Sequence, residues 1–352
     1  MKLDELLKHT SEWLKSTGPN SDIVMSSRIR LARNIEKVSF PNWANEKQSQ
    51  QVVDAVSKAI DAVDYLKSAV FFKLADMDNL DKQFLIERHL MSHEHAQKAD
   101  HKAVVLEPEE IVAIMVNEED HLRIQVMQSG LNLFEAWNII SKIDDQLSHM
   151  IPFAFSEDWG YLTACPTNTG TGMRGSVMLH LPALVATRQI NRVLQAVAKL
   201  SFTTRGLYGE GTQASGNFFQ ISNQISLGHS EEMIIENING LIRQIIDQET
   251  QSRNALLNNS RAFLEDKIWR SYGVLENAYI INSEETIELL SMVRLGVDTD
   301  IIKNIDRRAI NELFILTQPA HLQKIMGKKL TSEERDVKRA QIIRERLKIK
   351  KS

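Results

Sequence analysis

Near residue 230 the hydrophobic pattern of this chain changes period, and that change limits the possible folds more than any other feature. Between residues 70 and about 228, short runs of alternating apolar and polar residues recur between turn residues, with helical stretches among them. Beyond 230 the apolar residues recur at helical spacing and the strand signal largely disappears. Alternation puts successive side chains on opposite faces of a strand, whereas a spacing of three and four lines one side of a helix. The first region therefore reads as hairpins plus segregated helices, an α+β domain with a mainly antiparallel sheet flanked by helices. The second reads as an all-helical domain.

A helix is expected over residues 2–16, ended by Gly18-Pro19, and an amphipathic one over 45–67. Ile111 to Val116 and His121 to Met127 are strand-like runs joined by four polar residues, Asn117-Glu118-Glu119-Asp120, a hairpin loop. Helices are expected over 131–149 and 183–199, with strands near 161–164, 174–181, 200–205 and 217–227. Helical segments follow at 230–270, 283–296, 299–316 and 331–349. The chain then divides into a short N-terminal helix (1–21), an α+β domain (22–254) and a helical C-terminal domain (255–352).

At 352 residues the chain is long enough for two such cores. A single cysteine excludes an internal disulfide framework and fits a reducing compartment. The N-terminal segment mixes charges and lacks the apolar core of a signal peptide, and no run approaches membrane-spanning length, so a cytoplasmic protein is expected. The net charge is −4 but uneven: residues 335–352 hold eight Lys or Arg against Asp336 and Glu345, a balance of +6, so the remainder sums to −10. A basic tail is either a solvated helix face or an anion-binding surface.

Strand alternation sets Arg28 and Arg30 on one face with Ile29 and Leu31 on the other, separates Arg123 from Leu122 and Ile124, and groups Arg174 with Ser176 and Met178. Arg205 ends a strand-like run before a loop with glycines at 206, 209 and 211. One arginine on the wet face of a sheet is ordinary. Five converging arginines are what a nucleotide triphosphate needs where no Walker-type loop exists, because guanidinium forks bind phosphate oxygens bidentately and Mg2+ completes the neutralisation. Gly170, Gly172 and Gly175 spell G-x-G-x-x-G, but a strand ending in Pro182 follows instead of a helix, and no acid sits about 20 positions on, so a dinucleotide fold is rejected.

Glu118, Glu119 and Asp120 cluster in the hairpin loop, and Glu210 lies in the glycine-rich loop, which could close over a substrate. Cys165, beside Pro166 and a glycine-rich turn, is either a thiolate favoured by nearby arginines or a buried, inert thiol; the residues alone leave both open. His89, His93, His95 and His101 lack a cysteine partner or a clear ligand face, so no metal site is expected from them.

In order along the chain, SSRIR (Ser26 to Arg30), NEEDHLRIQ (Asn117 to Gln125), CPTNTGTGMRGSVMLHLP (Cys165 to Pro182) and RGLYGEGT (Arg205 to Thr212) resemble the motifs of the phosphagen (guanidino) kinases. The resemblance implies ATP and Mg2+, with a nucleotide site drawn from Ser26, Ser27, Arg28, Ile29, Arg30, His89, Arg123, Arg174, Gly175, Ser176, Val177, Met178, Arg205, Gly206, Leu207, Tyr208 and Gly209. It implies that Glu119 and Glu210 hold the accepting guanidinium and that Cys165 aligns it. Metabolic members carry a large N-terminal helical domain that closes over a small substrate, and here only 21 residues precede Asp22. The C-terminal Arg335-Asp336-Val-Lys-Arg339-Ala340 resembles the RDxxRA motif of the McsB-type bacterial protein arginine kinases, in which it binds phosphoarginine. That branch implies protein substrates carrying arginine, including a heat-shock repressor, delivery to a Clp ATPase, a zinc-binding activator protein and a homodimer, with no direct nucleic-acid or membrane contact. A small-guanidine kinase and a phosphoarginine-binding adaptor with a vestigial site are the competing expectations.

Overall fold

A computed structural model of the protein describes residues 3–206 and 215–347. Ten strands form: β1 (Val24–Arg33), β2 (Val70–Lys73), β3 (Ala103–Leu106), β4 (Val112–Val116), β5 (Leu122–Ser129), β6 (Phe155–Ser156), β7 (Gly160–Tyr161), β8 (Met173–His180), β9 (Phe202–Arg205) and β10 (Phe218–Asn223). Eight make one sheet in the order β2-β3-β4-β5-β1-β8-β10-β9, with each neighbouring pair antiparallel, while β6 and β7 form a separate hairpin. The α+β expectation is met.

Helices α1 (Glu46–Ile60), α2 (Asn79–Glu87), α3 (His93–Ala96), α4 (Leu133–Met150), α5 (Pro182–Ala186), α6 (Ile190–Lys199) and α7 (Glu231–Asn259) accompany the sheet. Ile29 and Leu31 of β1, Ile124 and Val126 of β5, and Val177 and Leu179 of β8 share one core with Val52 and Val56 of α1, Ile140 and Ile143 of α4, and Ile235, Ile238 and Ile242 of α7. After Ser260 the chain enters a second core built by α8 (Arg261–Asn277), α9 (Ser283–Asp298), α10 (Arg307–Leu316), α11 (Pro319–Met326) and α12 (Ser332–Leu347). Met25, Met127, Met178 and Phe218 on the opposite sheet face join that second core, and Val104, Leu106, Ala113 and Met115 pack with Phe84 and Leu85 of α2 in a third. Between these two covered patches the face carries polar side chains.

Buried polar links hold the helical domain to the sheet domain. The Arg294 guanidinium donates to the carbonyls of Ser21 (2.7 Å) and Asp22 (3.0 Å), to Asn311 Oδ1 (3.1 Å) and to Asp298 Oδ2 (3.1 Å). Glu87, at the end of α2, accepts from the backbone N–H groups of Ala320 (2.8 Å) and His321 (3.0 Å), which are orphan donors in the first turn of α11.

Several expected elements differ. Of the helix expected over 2–16, residues 3–16 instead hold two 3-10 turns, Leu3–Lys8 and Glu12–Leu14. Tertiary bonds override the local pattern there: Ser11 Oγ donates to Glu110 (2.8 Å), Glu12 N donates to the Glu109 carbonyl (3.2 Å), and Trp13 and Leu14 are buried in the second core. The 183–199 helix is split into α5 and α6 around Arg188, whose φ is +60°. The 230–270 helix breaks at Ser260, and the 299–316 helix begins only at Arg307, after Asp306 caps it by accepting from Arg308 N. The strands expected near 161–164 and over 217–227 shorten to β7 and β10.

Candidate active site

The open middle of the sheet face is floored by arginine. Pairing across β1 sets Arg30 directly opposite Arg174 of β8, and Arg28 opposite Ser176 of β8 and Met127 of β5. Like charges directly opposite on neighbouring antiparallel strands repel, so this arrangement costs stability unless an anion accompanies it. Burial first, then Arg123, Arg205 and Arg174, push the Arg28 guanidinium down to about 9. Arg30 is driven well below its usual range by burial and by the same neighbours together with Arg28. Some donors are engaged: Arg28 reaches Ser176 Oγ (3.4 Å) and Gln220 Oε1 (3.2 Å), and Arg174 Nε reaches the Asn223 carbonyl (3.3 Å). Arg30 Nε and Nη2, though buried, meet no hydrogen-bond partner among the described residues. A buried donor left without an acceptor is costly, and a phosphate oxygen is the acceptor that the charge here calls for.

Ser26, Arg28, His89, Ser176, Met178, Trp13, Met127 and Gln220 line a narrow pocket at one side of this floor. His89 has φ +59°, its carbonyl accepts from Gln125 Nε2 (2.8 Å), and its ring meets Trp13 edge-on with centroids 5.4 Å apart. Strand alternation sends other members of the expected nucleotide set to the opposite face. Ser27 donates to the Gly130 carbonyl (2.7 Å) and accepts from Asn132 N (2.9 Å), Ile29 and Val177 sit in the helix-covered core, and a Cβ at Gly175 would lie 2.6 Å from Ile238 of α7. The side chains of Ser27, Ile29 and Val177 therefore face away from the arginine floor.

Two loops meet at the end of the floor. In the β4–β5 loop, Glu118 grips Arg123 Nη1 (2.7 and 2.8 Å) and accepts from Ser92 Oγ (2.6 Å). Burial opposes ionisation of Glu118, but Arg123 and Ser92 outweigh it and hold the carboxyl at about 2. Glu119 is exposed and stands near the Cys165 thiol, which favours its ionised form. Partial burial, Asp120 and Glu118 raise its pKa above the ordinary value of 4.5, as a general base needs. Asp120 is buried, and its Oδ1 accepts from Ala164 N (2.7 Å) and Asn34 Nδ2 (2.6 Å). Asn34 also donates to the Leu162 carbonyl (3.0 Å) and accepts from His121 N (2.9 Å). Asp120 and Asn34 thus clip the acid loop to the thiol loop. From sequence Asp120 stood out only as one of three loop acids and Asn34 not at all; the apolar-to-polar break at Arg33-Asn34 gave no hint of a contact 86 residues away.

The thiol loop is shaped by glycine. Gly170 has φ +110° and Gly160 φ +70°, and a Cβ on Gly160 would come 2.5 Å from the Gly170 carbonyl oxygen. That close approach is what seats the β6–β7 hairpin against the loop, with Tyr161 N donating to Gly170 O (2.8 Å). Cys165 is partly exposed, and its Sγ lies 3.0 Å from Thr167 Oγ1.

Elsewhere, Arg205 ends β9 opposite Gln220 and Gly206 is buried, while Leu207, Tyr208, Gly209 and Glu210 lie outside the described residues. On α12, Arg339 is buried: Nε donates to the Thr317 carbonyl (2.8 Å), Nη1 to the Ile281 carbonyl (2.8 Å), and Asp336 pairs with it. Ala340 is buried beside it, whereas Arg335 is half-exposed and makes one long contact, 3.4 Å, to the Leu330 carbonyl. The two arginines expected to act alike are in different environments. Of the histidines, His95 bonds the Ala103 carbonyl, His101 bonds Gln50 and His93 is exposed, so they do not converge.

Known proteins resemble this chain in sequence and fold. The family described as ATP:guanido phosphotransferase, C-terminal catalytic domain, matches residues 50–252, and the Protein-arginine kinase McsB C-terminal domain matches residues 261–352. A protein-arginine kinase of Halothermothrix orenii is 47% identical over 348 residues, 99% of both chains, and one of Moorella thermoacetica is 50% identical over 344 residues, 97% of this chain and 98% of that one. Among solved structures, the duplicated taurocyamine kinase of Schistosoma mansoni with transition state analog components aligns with TM-score 0.62 and 25% identity, covering 70% of this chain and 35% of that longer chain. A lombricine kinase shares the fold with TM-score 0.59 and 24% identity, over 70% of this chain and 75% of that one. An arginine floor fitted to phosphate, an acid–thiol pair fitted to guanidinium and these likenesses agree: the chain belongs to the ATP:guanido phosphotransferases and, within them, to the protein-arginine kinases.

Proposed function

We propose that the sheet arginines hold the phosphates of ATP while Glu119 and Cys165 position an arginine side chain of a protein for phosphoryl transfer. The observation that carries this reading is the opposed pair Arg30 and Arg174, with two Arg30 donors lacking an acceptor among the described residues, beside Glu119 and Cys165. Arginine is a poor nucleophile. Its guanidinium holds its proton far above neutral pH, and full deprotonation at pH 7 costs roughly 9 kcal/mol. The proton must therefore leave as the bond forms. One guanidinium nitrogen bonds to the γ-phosphorus, the bond from phosphorus to the β–γ bridging oxygen breaks, ADP departs, and Glu119 takes the proton. Arg28, Arg30, Arg123, Arg174 and Arg205 spread the negative charge of the transferring group, and Glu210 would complete the acceptor clamp. Mg2+ would supply further neutralisation of the phosphates and, with no cluster of three His, Cys, Asp or Glu side chains among the described residues to hold an ion alone, would enter with the nucleotide.

On the same reading, phosphoarginine made here marks clients for a Clp ATPase, a heat-shock repressor is one substrate, a zinc-binding protein activates the enzyme, and the chain works as a cytoplasmic homodimer. Among the described residues no helix is long and apolar enough to cross a membrane. Phosphoarginine would also bind at Arg335 and Asp336 on α12, with Arg339 and Ala340 supporting them from beneath.

The test is incubation with Mg-ATP and an unfolded basic protein, followed by mass spectrometry under conditions that preserve phosphoramidates. Phosphate should appear on arginine and be lost in acid. Glu119→Gln should lower turnover by about 10³-fold with nucleotide affinity little changed. Phosphate on serine, threonine or tyrosine alone would overturn the reading.

A further inference from the structure

We infer that the turn joining β6 to β7, Phe155-Ser-Glu157-Asp158-Trp159, is a docking rim for the polypeptide that carries the target arginine. Phe155 and Trp159 are 58% and 56% exposed, and Glu157 and Asp158 between them are exposed too. Two open aromatic rings and two open carboxylates within five residues suit an extended segment that carries both apolar and basic residues. Single exposed rings are common; this group is set apart by its attachment to the site.

The hairpin is continuous with the thiol loop. Trp159 precedes Cys165 by six positions, and the Tyr161–Gly170 backbone bond ties the turn to the same loop from the other side. The hairpin is also stiff. The Tyr161 ring lies against Phe155 with centroids 5.3 Å apart, and the Arg33 guanidinium stacks on Tyr161 at 3.5 Å while Asp144 holds Arg33 (2.8 Å). A rim already ordered before binding gives up little entropy when a peptide lands on it. Six extended residues span at most roughly 20 Å. An arginine seated at Glu119 therefore brings neighbours within about six positions of it over this turn. An apolar neighbour would lie on Phe155 or Trp159, and a lysine or arginine would meet Glu157 or Asp158.

This inference rests on the acceptor being arginine within a polypeptide, and its test separates the two. Phe155→Ala/Trp159→Ala and Glu157→Gln/Asp158→Asn are compared with the unaltered protein, after thermal melts confirm that both variants fold. Initial rates are measured on an unfolded basic protein and on an arginine tripeptide too short to reach the turn. The aromatic double variant should raise KM for the protein about ten-fold with kcat nearly constant, and leave the tripeptide unaffected. The charge variant should raise KM for the protein chiefly at low salt. In parallel, anisotropy of a fluorescein-labelled basic, leucine-containing 15-residue peptide should report binding weakened to a similar degree. Unchanged KM and unchanged anisotropy in the aromatic variant would overturn the docking rim. Absence of arginine phosphorylation by the unaltered protein would instead overturn the acceptor, with the peptide anisotropy still deciding the rim.

Discussion

Arg30 and Arg294 are both buried arginines, one on the sheet floor and one in the helical domain, and their guanidinium groups meet opposite surroundings. Arg294 has a carboxylate, an amide oxygen and two backbone carbonyls around it. Arg30 has a second arginine across the strand pair and, among the described residues, two donors with no acceptor. Burying a cation is tolerable when its donors are met, and expensive otherwise. The helical arginines are thus parts of the fold. Arg30 on the sheet carries a cost that an anionic partner removes, which is how a stable scaffold comes to contain an anion site.

Exchanging one arginine of each kind should break this contrast most visibly. Arg30→Ala should cut turnover by about 10³-fold or more while the melting temperature stays level or rises, and the stabilisation by nucleotide seen in thermal melts should disappear. Arg294→Ala should do the reverse, costing roughly 3–5 kcal/mol of stability by leaving Asp298 short of its partner, with turnover retained by whatever stays folded. A destabilised Arg30→Ala variant, or an Arg294→Ala variant of wild-type stability, would collapse the distinction.

A smaller effect divides the α12 arginines. Arg339→Ala should destabilise by about 1–3 kcal/mol because the carbonyls of Thr317 and Ile281 lose a charged donor. Arg335→Ala should leave the melting temperature unchanged and lower phosphoarginine affinity in calorimetry. Equal melting losses in both would place Arg335 among the structural arginines as well.

The smallest expected effect is a shift in pH dependence. Glu119 must be ionised to accept a proton and its pKa is raised, so kcat/KM should fall as pH drops through a value above 4.5. The nearby Cys165 thiol lowers that pKa, so Cys165→Ala should move the acid limb to higher pH and slow the reaction without abolishing it. A limb unmoved in the variant would mean that the thiol does not act on Glu119.

Much of this was legible from short-range pattern. Alternation in β1, β5 and β8 assigned Arg28, Arg30, Arg123 and Arg174 to polar faces, and the observed register bears out that assignment. Alternation also shows why Ile29 and Val177, inside otherwise functional stretches, turn away from the floor. The helix expected over 2–16 does not form across the described residues because helical spacing there is outweighed by contacts to Glu109 and Glu110. Asn34 was passed over, and Glu118 stood out only as one of three loop acids, since their importance lies in whom they touch: Asp120 and Leu162 for one, Arg123 and Ser92 for the other.

The amino-acid sequence by itself determined the periods, hence which segments are strand or helix, which face of each strand is apolar, and which charged residue types stand on the remaining face. Tertiary structure alone decided that Arg30 faces Arg174, that Glu119 meets Cys165, that Arg339 is buried while Arg335 is not, and that the β6–β7 turn stands beside the thiol loop. Period is a property of neighbours in the chain, set by backbone geometry, whereas each of those juxtapositions joins residues far apart in sequence or depends on how whole elements pack.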